Sequence, residues 1–130
     1  MKDVLLDTHV WIWISIEDNK QISKKAKIQL QSARQKWISA ISCWELAKLS
    51  EKKRISFSIP VITWIRRSLS EHRINVAELS PEIAVESTIL KGFHHDPADQ
   101  IIVATSRILG IPLVTSDRKI LDFADVESVW

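Results

Sequence analysis

Val4-Leu5-Leu6 is apolar without a break and is followed at once by Asp7. A strand with water on one face alternates apolar and polar residues, because successive side chains point to opposite faces. A strand that is apolar at every position needs cover on both faces, as in a parallel sheet held between layers of helices. The stretch therefore predicts a layered α/β fold and puts a carboxylate at the end of a buried strand. A charge so close to a core is costly unless it is paired, coordinated or turned to a cleft. Asp7 is the first residue that asks for a function.

The rest of the chain keeps strands and helices in alternation. His9 to about Ile16 reads as a helix with a wide apolar face, and Ser23 caps a second, SKKAKIQLQSAR. KWISAIS supplies a strand over Trp37–Ile41, after which Ser42 and Glu45 stand at capping-box spacing for the helix SCWELAKLSEKK. Pro60 opens PVITWIRRSLSEH, and INVAELS is a strand through Ile74, Val76 and Leu79. Ser80-Pro81 starts PEIAVESTILKG, with Gly92 expected as its terminator. Asp96 and Pro97 start a helix closed by Gly110, followed by the strand LVTS and a last strand in VESVW. This order predicts a central, mostly parallel β-sheet flanked by helices.

Residues 1–130 are expected to form a single domain, with 45% apolar residues for one core. The formal charge of +2 is compatible with a nucleic-acid partner without demanding one. Cys43 is the only cysteine, so no intrachain disulfide forms and a reducing, cytoplasmic setting is expected. No apolar run reaches the length of a membrane span, and Asp7 and His9 interrupt what would be a signal peptide's apolar segment.

Ligands of open α/β sheets bind beyond the carboxyl ends of the strands. Asp7 after VLL and Asp117 after PLVTS stand at such ends, while Glu45 and Asp99 lie at or near helix starts. Clustered carboxylates repel one another and need cations or shared protons at neutral pH. Oxygen ligands suit Mg²⁺ or Mn²⁺, and such an ion activates water and polarises phosphoryl groups, which points to phosphodiester hydrolysis. Structural readings stand beside these. Asp96 and Asp99 stabilise a helix start by roughly 0.5–1 kcal/mol each. Glu45 can close the capping box, and Asp117 can cap the short helix in DRKILDF. Asp7 has no comparable structural reading.

LLDTHVWIW, ISAISCWELA, HHDPADQIIVAT and PLVTSD, in that order, resemble the PIN-domain ribonucleases, and most closely the VapC-type toxins of toxin–antitoxin pairs. The resemblance runs from Val4 to about Phe123. It implies a PIN-like fold and a metal-dependent endoribonuclease in which Asp7, Glu45, Asp99 and Asp117 hold Mg²⁺ or Mn²⁺ around a metal-activated water. Thr8, Ser42, Thr115 and Ser116 match hydroxyl residues beside the acids, and Asp96 matches an extra supporting acid. It also implies an RNA substrate, a cognate antitoxin wrapped near the first helices, and a homodimer. The family pattern usually has an aromatic where this chain has Ala98 and an arginine where it has Gln100, which bears on substrate contacts rather than on the ligands.

Arg118 and Lys119, beside Asp117, are the basic residues placed to meet RNA phosphates; the other basic groups read as solvated helix faces. His94, His95 and His9 are near the acids in sequence, but loop histidines are common and Mg²⁺ does not seek imidazole. Trp11, Trp13, Trp44 and Trp64 read as core, with the Trp11–Ile16 region equally readable as a partner surface. Two rival functions remain. An aspartyl-phosphate phosphatase normally has a second acid two residues after the nucleophile, where this chain has His9. A receiver-like Mg²⁺-binding module lacking nuclease activity would want neighbouring acids after the first strand and a lysine at a later strand end.

Overall fold

The computed structural model describes residues 2–130. In chain order the elements are β1 (Val4–Leu6), α1 (Thr8–Ser15), a 3-10 turn (Asn19–Gln21), α2 (Lys24–Ser32), β2 (Lys36–Ser39), α3 (Ala40–Glu51), α4 (Val61–Glu71), β3 (Ile74–Ala77), α5 (Pro81–Ser87), α6 (Pro97–Leu109), β4 (Leu113–Val114), α7 (Arg118–Leu121) and β5 (Ser128–Val129). The sheet runs β3-β2-β1-β4-β5, and every pairing in it is parallel.

β1 is the central strand, with Leu6 opposite Ile38 of β2 on one side and Val114 of β4 on the other. Its apolar run is divided between two cores. Val4 and Leu6 join Val10, Trp11, Ile38, Leu46 and Ile65 on one face, while Leu5 joins Phe93, Ile102, Val103, Leu113 and Ile120 on the other. That is the cover on both faces that Val4-Leu5-Leu6 requires.

Helix starts follow local chemistry in most places. Ser23, Ser80 and Asp96 each accept a backbone N–H of the first turn of α2, α5 and α6. Gly110 closes α6 in the left-handed conformation, φ 65°, which a side chain would strain.

Three expectations are corrected. The cap of α3 is Ser39, whose hydroxyl accepts from Ile41 N, so the strand before it is Lys36–Ser39 rather than Trp37–Ile41. Ser42 therefore lies inside the helix, fully buried, and Glu45 closes no capping box. α5 ends at Ser87, well before Gly92, because the Ser87 and Thr88 hydroxyls donate to the carbonyls of Ala84 and Val85 in its last turn. Lastly, Asp7 does have a structural role: it is the N-cap of α1, with Oδ1 accepting from Thr8 N at 2.8 Å. Among the described residues no helix is long and apolar enough to cross a membrane.

Candidate functional site

The strand order reverses between β1 and β4: the chain leaves β1 for β2 on one side and returns from β3 to β4 on the other. At such a point the connections diverge and leave a crevice at the carboxyl ends of the strands. Asp7 leaves β1 there and its backbone N–H donates to Val114 O at 3.0 Å. Thr115, Ser116 and Asp117 leave β4 beside it.

Thr115 joins the two strand ends. Its hydroxyl, fully buried, donates to Asp7 Oδ2 at 2.6 Å and accepts from Asp117 N at 3.0 Å. With Thr8 N on Oδ1, both oxygens of Asp7 are held, and the carboxylate is aimed rather than free to rotate. Thr115→Val is expected to leave a buried carboxylate oxygen and the Asp117 N–H short of a partner, at a cost of about 1–3 kcal/mol. Urea denaturation measures it, with Thr115→Ser retaining most of the stability; a valine variant as stable as the wild type would contradict this role.

Glu45 arrives from the second turn of α3, six residues after the cap at Ser39. Thr8 Oγ1 donates to Glu45 Oε1 at 2.5 Å and lies 2.8 Å from Ser42 Oγ. A threonine hydroxyl has one proton, so with Glu45 ionised the donor between them is Ser42. Ser42, Thr8 and Glu45 thus form a directed chain, which explains why Ser42 is drawn into the helix interior instead of capping it.

Asp99 sits in the first turn of α6, with its N–H fixed by Asp96 Oδ1 at 2.9 Å. Asp96 is exposed and serves as this cap. One ligand atom each from His94, Asp99 and Asp117 lie within 4.8 Å of one another. Asp7 and Glu45 are not in that close group, but act on it by charge. Ser116 is exposed and takes no part in the network. Arg118 and Lys119 are exposed on α7, whose start is capped by Asp117 Oδ1 accepting from Lys119 N.

The electrostatics are those of crowded, partly buried carboxyls. Burial pushes the Asp7 and Glu45 carboxyls up, partly opposed by their hydrogen bonds. Burial also raises Asp99, and the negative charges of Asp7, Asp96, Asp117 and Glu45 add to it, so that its pKa rises to about 8. Without a cation the Asp99 carboxyl keeps its proton at neutral pH, whereas a divalent ion would replace that proton with charge. The donor set fits such an ion: hard carboxylate oxygens, converging, with hydroxyl groups behind them.

Some of this was beyond reach of the sequence. His94 comes within ligand distance of two acids because the turn before Asp96 folds back over the start of α6; the one hint was its place two residues ahead of that cap. His9 is also close enough to Asp7 and Glu45 for its charged form to favour theirs. Of the departures from the family pattern, Ala98 is buried, and Gln100 Nε2 donates to His94 O at 3.0 Å.

Residues 4–126 match the model of the PIN domain family. The chain is 39% identical over 121 residues to Ribonuclease VapC22 of Mycobacterium tuberculosis, covering 92% of this chain and 91% of the relative. In fold it matches a chain of VapBC2 from Rickettsia felis, solved bound to a promoter DNA fragment, with TM-score 0.71 at 17% identity over 98% of this chain and 97% of that one. DNA-bound VapBC from Salmonella typhimurium gives TM-score 0.70 at 20% identity over 99% and 98%. The fold neighbours, at 17% and 20% identity, bear on the fold alone, and the sequence relative carries the assignment further. The chain belongs to the PIN-domain family and stands among its VapC-type ribonucleases.

Proposed function

We propose that this chain is a metal-dependent endoribonuclease, the toxin of a VapBC-like toxin–antitoxin pair, acting as one PIN domain over residues 1–130. The observation that carries the reading is the meeting of Asp7, Glu45, Asp99 and Asp117 beyond the carboxyl ends of β1 and β4, where charge repulsion alone would drive them apart.

Asp99 and Asp117 offer oxygens to Mg²⁺ or Mn²⁺, and Asp7, held by Thr8 and Thr115, supplies a fixed negative charge behind them. Glu45, oriented by Thr8, is placed to accept a hydrogen bond or a proton on the α3 side. When bound, the ion supplies Lewis acidity that polarises a phosphodiester and lowers the pKa of water. Asp96 keeps Asp99 in place by capping α6, and Arg118 and Lys119 stand where an RNA backbone would pass Asp117. Ser116, exposed at the same strand end, is open to substrate.

A protein partner is supported by the outer end of α1: Trp13 and Ile14 are half-buried and Ile16 is 51% exposed. We place an antitoxin segment there, a homodimer as the working assembly, and the cytoplasm as the compartment. Trp11 is not part of that surface, because it is fully buried.

Neither rival fits as well. An aspartyl-phosphate enzyme needs a free carboxylate oxygen as nucleophile, but Asp7 is 8% exposed and both of its oxygens accept hydrogen bonds. A receiver-like module needs a lysine near the site at a strand end, and β4 is followed by Thr115-Ser116-Asp117. The test is a panel of RNAs incubated with wild type and Asp7→Asn, with and without Mg²⁺ or Mn²⁺. Asparagine keeps the size of Asp7 and its cap on α1, so the fold should persist. Cleavage is expected only for wild type with a divalent ion; equal cleavage by both proteins would refute the reading, and phosphate trapped on Asp7 would favour a rival.

A further inference from the structure

We infer that His94 is an imidazole ligand of this metal site and gives it a preference for Mn²⁺ over Mg²⁺; the inference rests on the metal-dependent reading above. Its starting point is a nitrogen without a partner. His94 Nε2 is buried and makes no hydrogen bond, although Asp99 Oδ2 is 3.1 Å away. The distance is short enough for an ion pair, but the direction does not serve an N–H donor. A buried imidazole nitrogen left unpaired costs about 1–3 kcal/mol, and native structures rarely accept that without a reason. A lone pair pointed at a shared cation is such a reason.

The spacing agrees with it. Ligand atoms on opposite sides of a six-coordinate ion are about 4.2 Å apart for bonds near 2.1 Å. The three ligand atoms of His94, Asp99 and Asp117 fall within 4.8 Å of one another, so a small inward movement would bring them onto one ion.

The imidazole is also held in place by residues with no part in the acid cluster. Its ring packs on Phe93 at 4.4 Å between centroids, and Phe93 is buried against Phe123 at 5.0 Å. Gln100 Nε2 fixes the His94 carbonyl, closing the turn over the start of α6. A ring fixed by packing and by its own backbone loses little freedom on taking up a ligand.

The choice of ion follows from ligand chemistry. Mg²⁺ prefers oxygen and dehydrates reluctantly, whereas Mn²⁺, although the weakest nitrogen binder among the first-row divalent ions, shares their tolerance of an imidazole ligand. Adding one nitrogen to a carboxylate set raises affinity for Mn²⁺ more than for Mg²⁺.

The experiment measures binding rather than turnover. Calorimetric titration with Mn²⁺ and with Mg²⁺, and pulsed electron paramagnetic resonance of bound Mn²⁺, are applied to wild type, His94→Gln, His9→Gln and His95→Gln. The expected result is nitrogen-14 modulation from a directly bound imidazole in wild type, kept in His9→Gln and His95→Gln and lost in His94→Gln. Mn²⁺ affinity should fall at least about tenfold in His94→Gln, with a much smaller change for Mg²⁺. Mn²⁺ bound by wild type without nitrogen modulation, or modulation that survives His94→Gln, overturns the role of His94 and leaves the metal reading standing. Failure of wild type to bind Mn²⁺ at all overturns both. Should His94→Gln not fold, wild type and the other two variants still decide the question.

Discussion

Asp99→Asn is expected to lower RNA cleavage by at least about 100-fold while making the metal-free protein more stable at alkaline pH. The two effects have one cause. Asp99 is pushed up to about 8 from 3.8, first by burial and then by the charges of Asp7, Asp96, Asp117 and Glu45. Its folded-state pKa therefore lies above its unfolded value. Below the unfolded value both states hold the proton, and the contribution to stability is fully present. Between roughly pH 4 and pH 8 the unfolded chain has released a proton that the folded chain retains, so stability falls as pH rises through this window.

Asparagine cannot ionise, so the variant should lose less stability over the same range. Asp7 and Glu45 are raised by burial as well and have the same sign, which leaves the variant some residual slope. Thermal unfolding in a chelator from about pH 5 to about pH 9 measures the difference. Wild-type Tm should decline more steeply, and Mn²⁺ or Mg²⁺ at the alkaline end should raise Tm of the wild type more than that of the variant. Parallel Tm curves, or full cleavage by Asp99→Asn, would show that Asp99 is neither the strained acid nor a ligand.

Trp11→Ala should be the most destabilising single change in the core, at about 3–5 kcal/mol. Trp11 is fully buried, with its ring 5.9 Å from that of Trp64. Its Nε1 donates to Ser68 Oγ at 2.9 Å, and Ser68 is linked in turn to Ser15 Oγ at 2.6 Å. Alanine leaves a cavity and takes away the buried hydroxyl's donor together. Trp11→Phe should recover most of the loss, keeping about 1 kcal/mol for the missing hydrogen bond. Trp44 is 54% exposed, and Trp44→Ala should stay within about 0.5 kcal/mol. Urea unfolding followed by circular dichroism separates the three, and similar costs for Trp11→Ala and Trp44→Ala would contradict the placement of these side chains.

The tryptophans show where sequence patterns stop being informative. Trp11, Trp13, Trp44 and Trp64, four of the six, read as core residues because their type is apolar, yet one is sealed, two are half-buried and one is largely exposed. Residue type sets what burial would gain. Only the tertiary packing decides which ring receives it: Trp11 is sealed against Trp64 and Ser68 of α4, whereas Trp13 lies against Trp130. The start of α3 makes the same point: Ser39 and Ser42 are both good caps by local chemistry. Ser39 takes the role because Ser42 is needed beneath Thr8, a contact across 34 positions of sequence.

By itself the sequence determined the kinds of element and the chemistry at their ends. An unbroken Val4-Leu5-Leu6 demands cover on two faces, alternation of strands and helices supplies it, and Asp96-Pro97 and Ser80-Pro81 start helices by rules that act within a few residues. The acids, too, could be named as strand-end and helix-start residues. What the tertiary structure alone decided is which of them meet. Asp7 is joined to Thr115 across 108 positions because β1 and β4 are neighbours at the reversal of strand order, and Asp99 at the start of α6 comes close to Asp117 after β4. Adjacency of that kind follows from which strands pair, a property of the whole sheet that no short stretch of the chain contains.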